Sequence, residues 1–218
     1  MTPRSGFAER LPTVGGLPTA GARLLQLVIV VMTAYGAISG RVGVAVNGVL
    51  SLGVTLVPAG VAWLFDHEID PRLSLWIAVA AAIHVGGFLG PYDQQTGLLA
   101  SYDQVAHMVS AAFVAGVGYA VVEAVDESSR RAEFPEEFRF VFTLALVMAF
   151  GVAWEIGEFA AGAVGAALTG TEVLVQYGVS DIVADLTFNT IAAAAVALWG
   201  TGYFDGVAAA FSRGVFGD

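Results

Sequence analysis

The sequence contains no cysteine and no lysine, and only 13% of its 218 residues are charged. Without cysteine the chain has no disulfide, no thiolate nucleophile and no cysteine-ligated metal. Without lysine it cannot form a Schiff base, which excludes a retinal pigment bound through lysine. Soluble domains carry roughly 25% charged residues. Because 57% of this chain is apolar, the composition instead predicts an integral membrane protein.

Positive charge is also scarce, with nine basic residues against 19 acidic ones and a net charge of −10. A nucleic-acid-binding protein needs a basic patch to neutralise phosphates, so this function is excluded. The acidic, lysine-free composition fits a halophile with salty cytoplasm, where carboxylates hold water well. Codon preference in a GC-rich genome explains the same composition equally simply.

Six apolar runs are long enough to cross a hydrocarbon layer of roughly 30 Å. We therefore predict an all-α polytopic bundle of about six spans, with residues 24–204 as the transmembrane domain. Residues 1–23 contain several prolines and glycines and are predicted to form an irregular cytoplasmic tail. Residues 205–218 form a second short cytoplasmic tail. The predicted spans lie near residues 24–40, 43–65, 73–90, 102–123, 138–164 and 179–201.

The arginines predict the orientation. With six spans, eight of the nine arginines fall on one side of the membrane, and Arg41 alone falls on the other. The positive-inside rule then places both termini in the cytoplasm. We expect a multi-pass protein of the plasma membrane.

Helices 3 to 6 carry ionisable or amide side chains inside their apolar runs. A charge in hydrocarbon costs several kcal/mol at least, so each such group needs a partner or a function. By residue count, His84, His107, Glu155 and Asp185 all lie roughly 8–10 Å below the outer ends of their helices. Asn47 lies near the same level of helix 2. The full set is His84, Asp103, His107, Glu155, Glu158, Asp181, Asp185 and Asn189.

Spacing within each helix puts these groups on shared faces. Asp103 and His107 are i, i+4, Glu155 and Glu158 are i, i+3, and Asp181, Asp185 and Asn189 repeat at i+4. We therefore predict one outward-facing polar pocket.

Imidazole and carboxylate ligands suit one or two divalent cations such as Zn, Mn or Fe. The candidate ligands are His84, Asp103, His107, Glu155, Glu158, Asp181 and Asp185, with Asn189 in support. The alternative is a hydrogen-bonded network without metal, in which Asp103 orients His107. Asp181 is also interpretable as a helix N-cap after Ser180.

Three segments together resemble a known group of membrane proteins: YDQVAH (102–107), WEIGEF (154–159) and SDIVADLTFNT (180–190). Their order and spacing resemble the VanZ-like proteins and, more closely, the related YjdF-type family. The HVGG segment at 84–87 adds to the resemblance, which covers about residues 80–200. Ala192 departs from it, because VanZ-like proteins usually have glycine there.

The resemblance implies that the same eight polar residues are family positions and that the protein has a cell-envelope role. Glycopeptide-antibiotic resistance is known for the protein that names the VanZ group. No reaction is implied.

Three functions stay open at this point. The first is an enzyme acting on membrane lipids or lipid-linked headgroups, in which His107, Asp103, Glu155 and Asp185 are the catalytic candidates. The second is a proton-coupled transporter, although the inner halves of helices 4 and 6 lack a matching relay. The third is a non-catalytic scaffold stabilised by a buried polar network.

Overall fold

The computed structural model describes residues 16–65, 69–93, 101–128, 134–170, 172–174 and 177–199. These residues form six α-helices and one 3-10 turn, Pro91–Asp93, and they contain no strand. The all-α prediction is therefore confirmed. The helices are α1 (Gly16–Ile38), α2 (Val42–Phe65), α3 (Pro71–Gly87), α4 (Tyr102–Ser128), α5 (Glu136–Thr169) and α6 (Val179–Trp199).

Five of the six helices are long and apolar enough to cross a membrane. The exception is α3, whose 17 residues lie at the lower limit of roughly 17–25 for a span. Asp70 caps α3, since its carboxylate accepts the Arg72 N–H at 2.7 Å. Helix α5 ends at Gly170, whose φ of 73° is in the left-handed region that glycine favours.

Helix α1 begins at Gly16, earlier than the predicted start near residue 24. The prediction that 1–23 is irregular therefore does not hold for residues 16–23. Pro18 is compatible with this start because the N–H groups of the first helical turn have no intrahelical partner. Residues 1–15 and 205–218, where the remaining tails were predicted, lie outside the described part of the chain.

The helices pack as two groups of three. Helices α1, α2 and α3 contact one another, and so do α4, α5 and α6. The groups are joined by packing of α3 and the 3-10 turn against α4. Large apolar side chains cover the exterior; Phe159, for example, is 68% exposed. An apolar exterior is what a bundle surrounded by lipid requires.

Contacts show that three of the segments connecting the helices lie at the same end of the bundle. Arg41 after α1 donates to the Phe88 carbonyl after α3 at 3.0 Å. Asn47 near the start of α2 donates to the Val173 carbonyl between α5 and α6 at 2.6 Å. The α1–α2, α3–α4 and α5–α6 connections therefore share one end, which we call the outer end because the arginine distribution predicts that it faces the cell exterior.

Two pairs of glycines, each four residues apart, divide into two roles. A Cβ on Gly36 would lie 2.7 Å from the Ala45 backbone nitrogen, so α1 and α2 approach closely there. A Cβ on Gly86 would lie 2.9 Å from the Tyr102 hydroxyl. Gly40 and Gly90 instead have positive φ and open space around them, and they form turns.

Candidate functional site

A cavity of about 250 Å³ lies between the two helix groups. It is lined by side chains from α2, α3, α4, α5 and α6, together with Tyr92 of the 3-10 turn. Its outer part contains His84, Asp103, His107, Glu158 and Asn189. The polar faces predicted from helical spacing therefore converge on one cavity.

His107 is at the centre of the polar residues. Its Nε2 lies 3.9 Å from Asp103 Oδ1 on the same helix and 3.8 Å from Asp185 Oδ2 on α6. One ligand atom from each of these three residues lies within 4.8 Å of the others, which is close enough to share a metal ion.

A second group also includes His107. It consists of His107, Glu155 and Glu158, whose ligand atoms likewise lie within 4.8 Å of one another. Glu155 and Asp185 are buried, at 4% and 1% exposure. Two buried carboxylates need positive charge or a proton nearby, and a cation between them and His107 meets that need.

Neighbouring side chains hold three of the five residues of the ligand groups in place. Asn189 hydrogen-bonds His107, as the sequence-based supporting role predicts. Gln104 donates to Asp185 Oδ1 at 3.4 Å, and the Trp154 indole hydrogen-bonds Glu158. Such outer contacts orient metal ligands and tune their basicity.

His84 lies in the same cavity but outside both ligand groups. Its Nε2 is 3.2 Å from Asn47 Oδ1, and its Nδ1 is 3.4 Å from the Tyr92 hydroxyl. Burial raises the pKa of Tyr92 above its usual range, so the hydroxyl keeps its proton and donates it to Nδ1. The Nε2–H then donates to Asn47. Both ring nitrogens of His84 are thus occupied by protein, which leaves none for a metal.

Asp181 is likewise outside both groups. Helix α6 begins two residues before it, and its carboxylate accepts the Tyr177 N–H at 3.1 Å. This bond closes the first turn of α6 in the manner of a cap, although Asp181 lies inside the helix rather than at the N-cap position itself.

Three further residues at the site, Gln104, Tyr92 and Trp154, are not among the predicted site residues. Gln104 directly follows Asp103 and lies four residues before Met108, so its spacing gives no sign that it faces α6. Tyr92 precedes a connection, where an interfacial tyrosine is the usual interpretation. Trp154 lines the cavity with its ring 5.4 Å from that of His84.

His107 with Asp103 and Asp185, or with Glu155 and Glu158, would be the residues to hold a divalent cation. A cation held there would supply water activation at neutral pH. The carboxylates outside the coordination sphere can then transfer protons.

No curated protein and no solved structure matches the chain significantly. One family description does match, over residues 21–206, which includes α2 to α6, α1 from residue 21 onward, and every residue of both ligand groups. The chain therefore belongs to the DUF2238 family, which is described as predicted membrane proteins.

Proposed function

We propose that this protein is a plasma-membrane enzyme that hydrolyses the headgroup of a membrane lipid or lipid-linked precursor with the help of a divalent cation. The observation that carries the proposal is the position of His107. It lies within reach of Asp103, Asp185, Glu155 and Glu158 at the polar end of a cavity that continues into apolar lining. Ionisable groups held at this depth are typical of function rather than packing.

The reaction balances with water as the only co-reactant. Water attacks the bond between the headgroup and the lipid from the headgroup side, and its oxygen stays on the headgroup. The lipid departs as an alcohol, which takes up one proton of that water. His107 serves as a ligand or as the base held by Asp103, while Glu155 and Asp185 serve as ligands or as an acid/base pair. A cation held by these residues would supply polarisation of the bond under attack.

The resemblance to YjdF-type and VanZ-like proteins supports an envelope role. The residues that carry it in three segments either line the cavity or belong to the two ligand groups: Asp103 and His107, then Glu155 and Glu158, then Asp185 and Asn189. The arginine distribution predicts that the polar end of the cavity faces the cell exterior, where envelope precursors are processed.

A lipid profile tests the proposal. Membranes from cells expressing the protein are compared with membranes from cells expressing His107→Ala, Glu155→Ala or Asp185→Ala. We expect the protein to shift the level of at least one lipid class, and each variant to abolish that shift. Identical profiles for the protein and all three variants at equal expression would refute the proposal.

Transport is the second candidate, and the packing at the apolar end of the cavity disfavours it. Ala115, Val147, Ala192 and Ala193 form a buried apolar cluster with exposures of 0–4%. A proton or ion crossing the bundle at that level would meet no ionisable group among these residues. A flux assay in liposomes distinguishes a transporter from an enzyme. If the protein is instead a non-catalytic scaffold, variants in the cavity should change only its stability.

A further inference from the structure

The cavity extends well below its polar end. On α5 its lining runs from Glu158 to Val147 and on α4 from Asp103 to Val114. Each stretch covers roughly 16 Å of helix at 1.5 Å per residue. Below the polar residues the lining is mostly apolar and includes Ile77, Ala111 and Phe150. The cavity is therefore a slot with one polar end and one apolar end.

The slot has an opening on the side that faces lipid. Helices α2 and α5 both line it, yet no Cα atom of α2 comes within 8 Å of one of α5 in their described residues. The lining residues on the two sides of this gap are exposed, Val54 to 54% and Phe150 to 58%. On the opposite side α3 packs against α4, which closes the slot there.

We propose that a membrane lipid enters this slot sideways between α2 and α5. One hydrocarbon chain lies along the apolar lining, and the polar headgroup reaches the His107 cluster. This inference rests on the proposed function, for which it names the substrate class and the route of entry.

The surrounding hydrocarbon and the polarity of the slot lining both favour a membrane lipid as the ligand. A gap at the level of Val54 and Phe150 opens into hydrocarbon, where lipid chains are the available ligands. A molecule that fills the whole slot meets polar side chains such as His107 and Asn189 at one end, so the same molecule must carry a polar headgroup. The volume of about 250 Å³ is near the lower end of pockets that enclose a whole small ligand, roughly 300–1,000 Å³. It therefore suits one chain, with the rest of the lipid remaining in the bilayer.

Photolabelling tests the route. The protein is reconstituted in phosphatidylglycerol vesicles that contain phosphatidylglycerol with a diazirine on one acyl chain, and labelled positions are mapped by mass spectrometry. Ala106 and Ala111 line the slot but are only 7% and 6% exposed, so surrounding lipid does not reach them directly. We expect both to be labelled. Absence of label at both positions, with label present on the exposed Leu24 and Leu27 of α1, would overturn the inference.

Two matched variants test the gap itself. Val54→Trp places a large ring where the slot opens, whereas Val57→Trp places it at an equally exposed position of α2 that does not line the slot. We expect Val54→Trp to reduce labelling of Ala106 and Ala111 by about tenfold or more, equivalent to about 1.4 kcal/mol in binding. Val57→Trp should leave it unchanged. Equal labelling in both variants would contradict entry between α2 and α5.

The result is independent of catalysis. Labelling requires only that a chain occupy the slot, so a labelled slot with an unchanged lipid profile would refute the proposed function alone. An unlabelled slot with a changed lipid profile would refute the lateral route alone.

Discussion

At the residue scale, the contrast between two histidines is the most informative feature of the site. From the sequence, His84 and His107 are equivalent, since both lie at similar depth in apolar helices. Tertiary contacts separate them. His84 is held by Asn47 and Tyr92, while His107 faces carboxylates from its own helix and from α5 and α6. Partners from distant parts of the chain decide which imidazole is available to a metal.

Asn47 should contribute measurably to stability. Its amide donates to the Gly43 and Val173 carbonyls, and its oxygen accepts from His84. Asn47→Ala removes this partner from the Val173 carbonyl and from His84 Nε2. We expect the free energy of unfolding to fall by about 1–3 kcal/mol. Unfolding in detergent by heat or denaturant measures it. Ser39→Ala, at an exposed helix end, is the control and should change stability by less than about 0.5 kcal/mol.

Two aspartates of α6 should differ in their effect on metal binding. Asp185→Asn removes a charge from the His107 group, and we expect divalent-cation affinity to fall at least about tenfold. Asp181→Asn keeps an oxygen that can accept the Tyr177 N–H, so the divalent-cation affinity of this variant should equal that of the unmodified protein. Metal titration by calorimetry provides the comparison. A larger loss for Asp181→Asn than for Asp185→Asn would contradict the assignment.

At the element scale, the cluster depends on how closely α5 approaches α6. A Cβ on Gly151 would lie 2.9 Å from Asn189 Nδ2 and 2.9 Å from Leu186 Cδ2. Glycine at this position therefore lets Asn189 reach His107 without moving α6. No contact of this kind exists at Gly157, further along α5, where a Cβ would meet nothing within 4 Å.

These two glycines provide a matched test. Gly151→Ala should displace Asn189 and reduce metal affinity by about 10–100-fold, the usual effect of disturbing an outer contact of a metal ligand. Gly157→Ala should leave affinity unchanged and stabilise the helix by about 0.5–1 kcal/mol. Metal titration and unfolding of the two purified variants provide both quantities. Equal affinities would show that Asn189 does not position His107.

Hydropathy predicted the positions of most helices closely, because a span in lipid must satisfy its own backbone hydrogen bonds and is therefore a continuous apolar helix. The start of α1 was the exception, since the prolines and glycines of residues 16–23 obscured a helix that tolerates them in its first turns. The convergence of polar faces followed from i, i+4 spacing. The exact ligand groups did not, because they depend on the relative rotation of α4, α5 and α6 about their axes.

At the scale of the whole molecule, the two helix groups together enclose a cavity that neither group would form alone. The His107 ligand groups come from α4, α5 and α6, whereas Ser51, Val54 and His84 on α2 and α3 form the facing wall. Sequence order did not predict this division, because apolar helices of similar composition offer many packing arrangements.

The orientation can be tested directly because the chain has no cysteine of its own. We expect Ser39→Cys and Glu172→Cys to react with a membrane-impermeant maleimide added to intact cells. Glu137→Cys, before α5, should react only after the membrane is opened. All three positions are exposed in the structure. The reverse pattern would place the cavity toward the cytoplasm and contradict the proposed site of action.

The most direct test of the central claim is the metal content of the protein purified in mild detergent and chelator-free buffer, measured beside His107→Ala and His84→Ala. We expect a stoichiometric divalent transition metal in the unmodified protein. His84→Ala should retain it and His107→Ala should lose it. No metal in the unmodified protein, or equal loss in both variants, would contradict a metal site centred on His107.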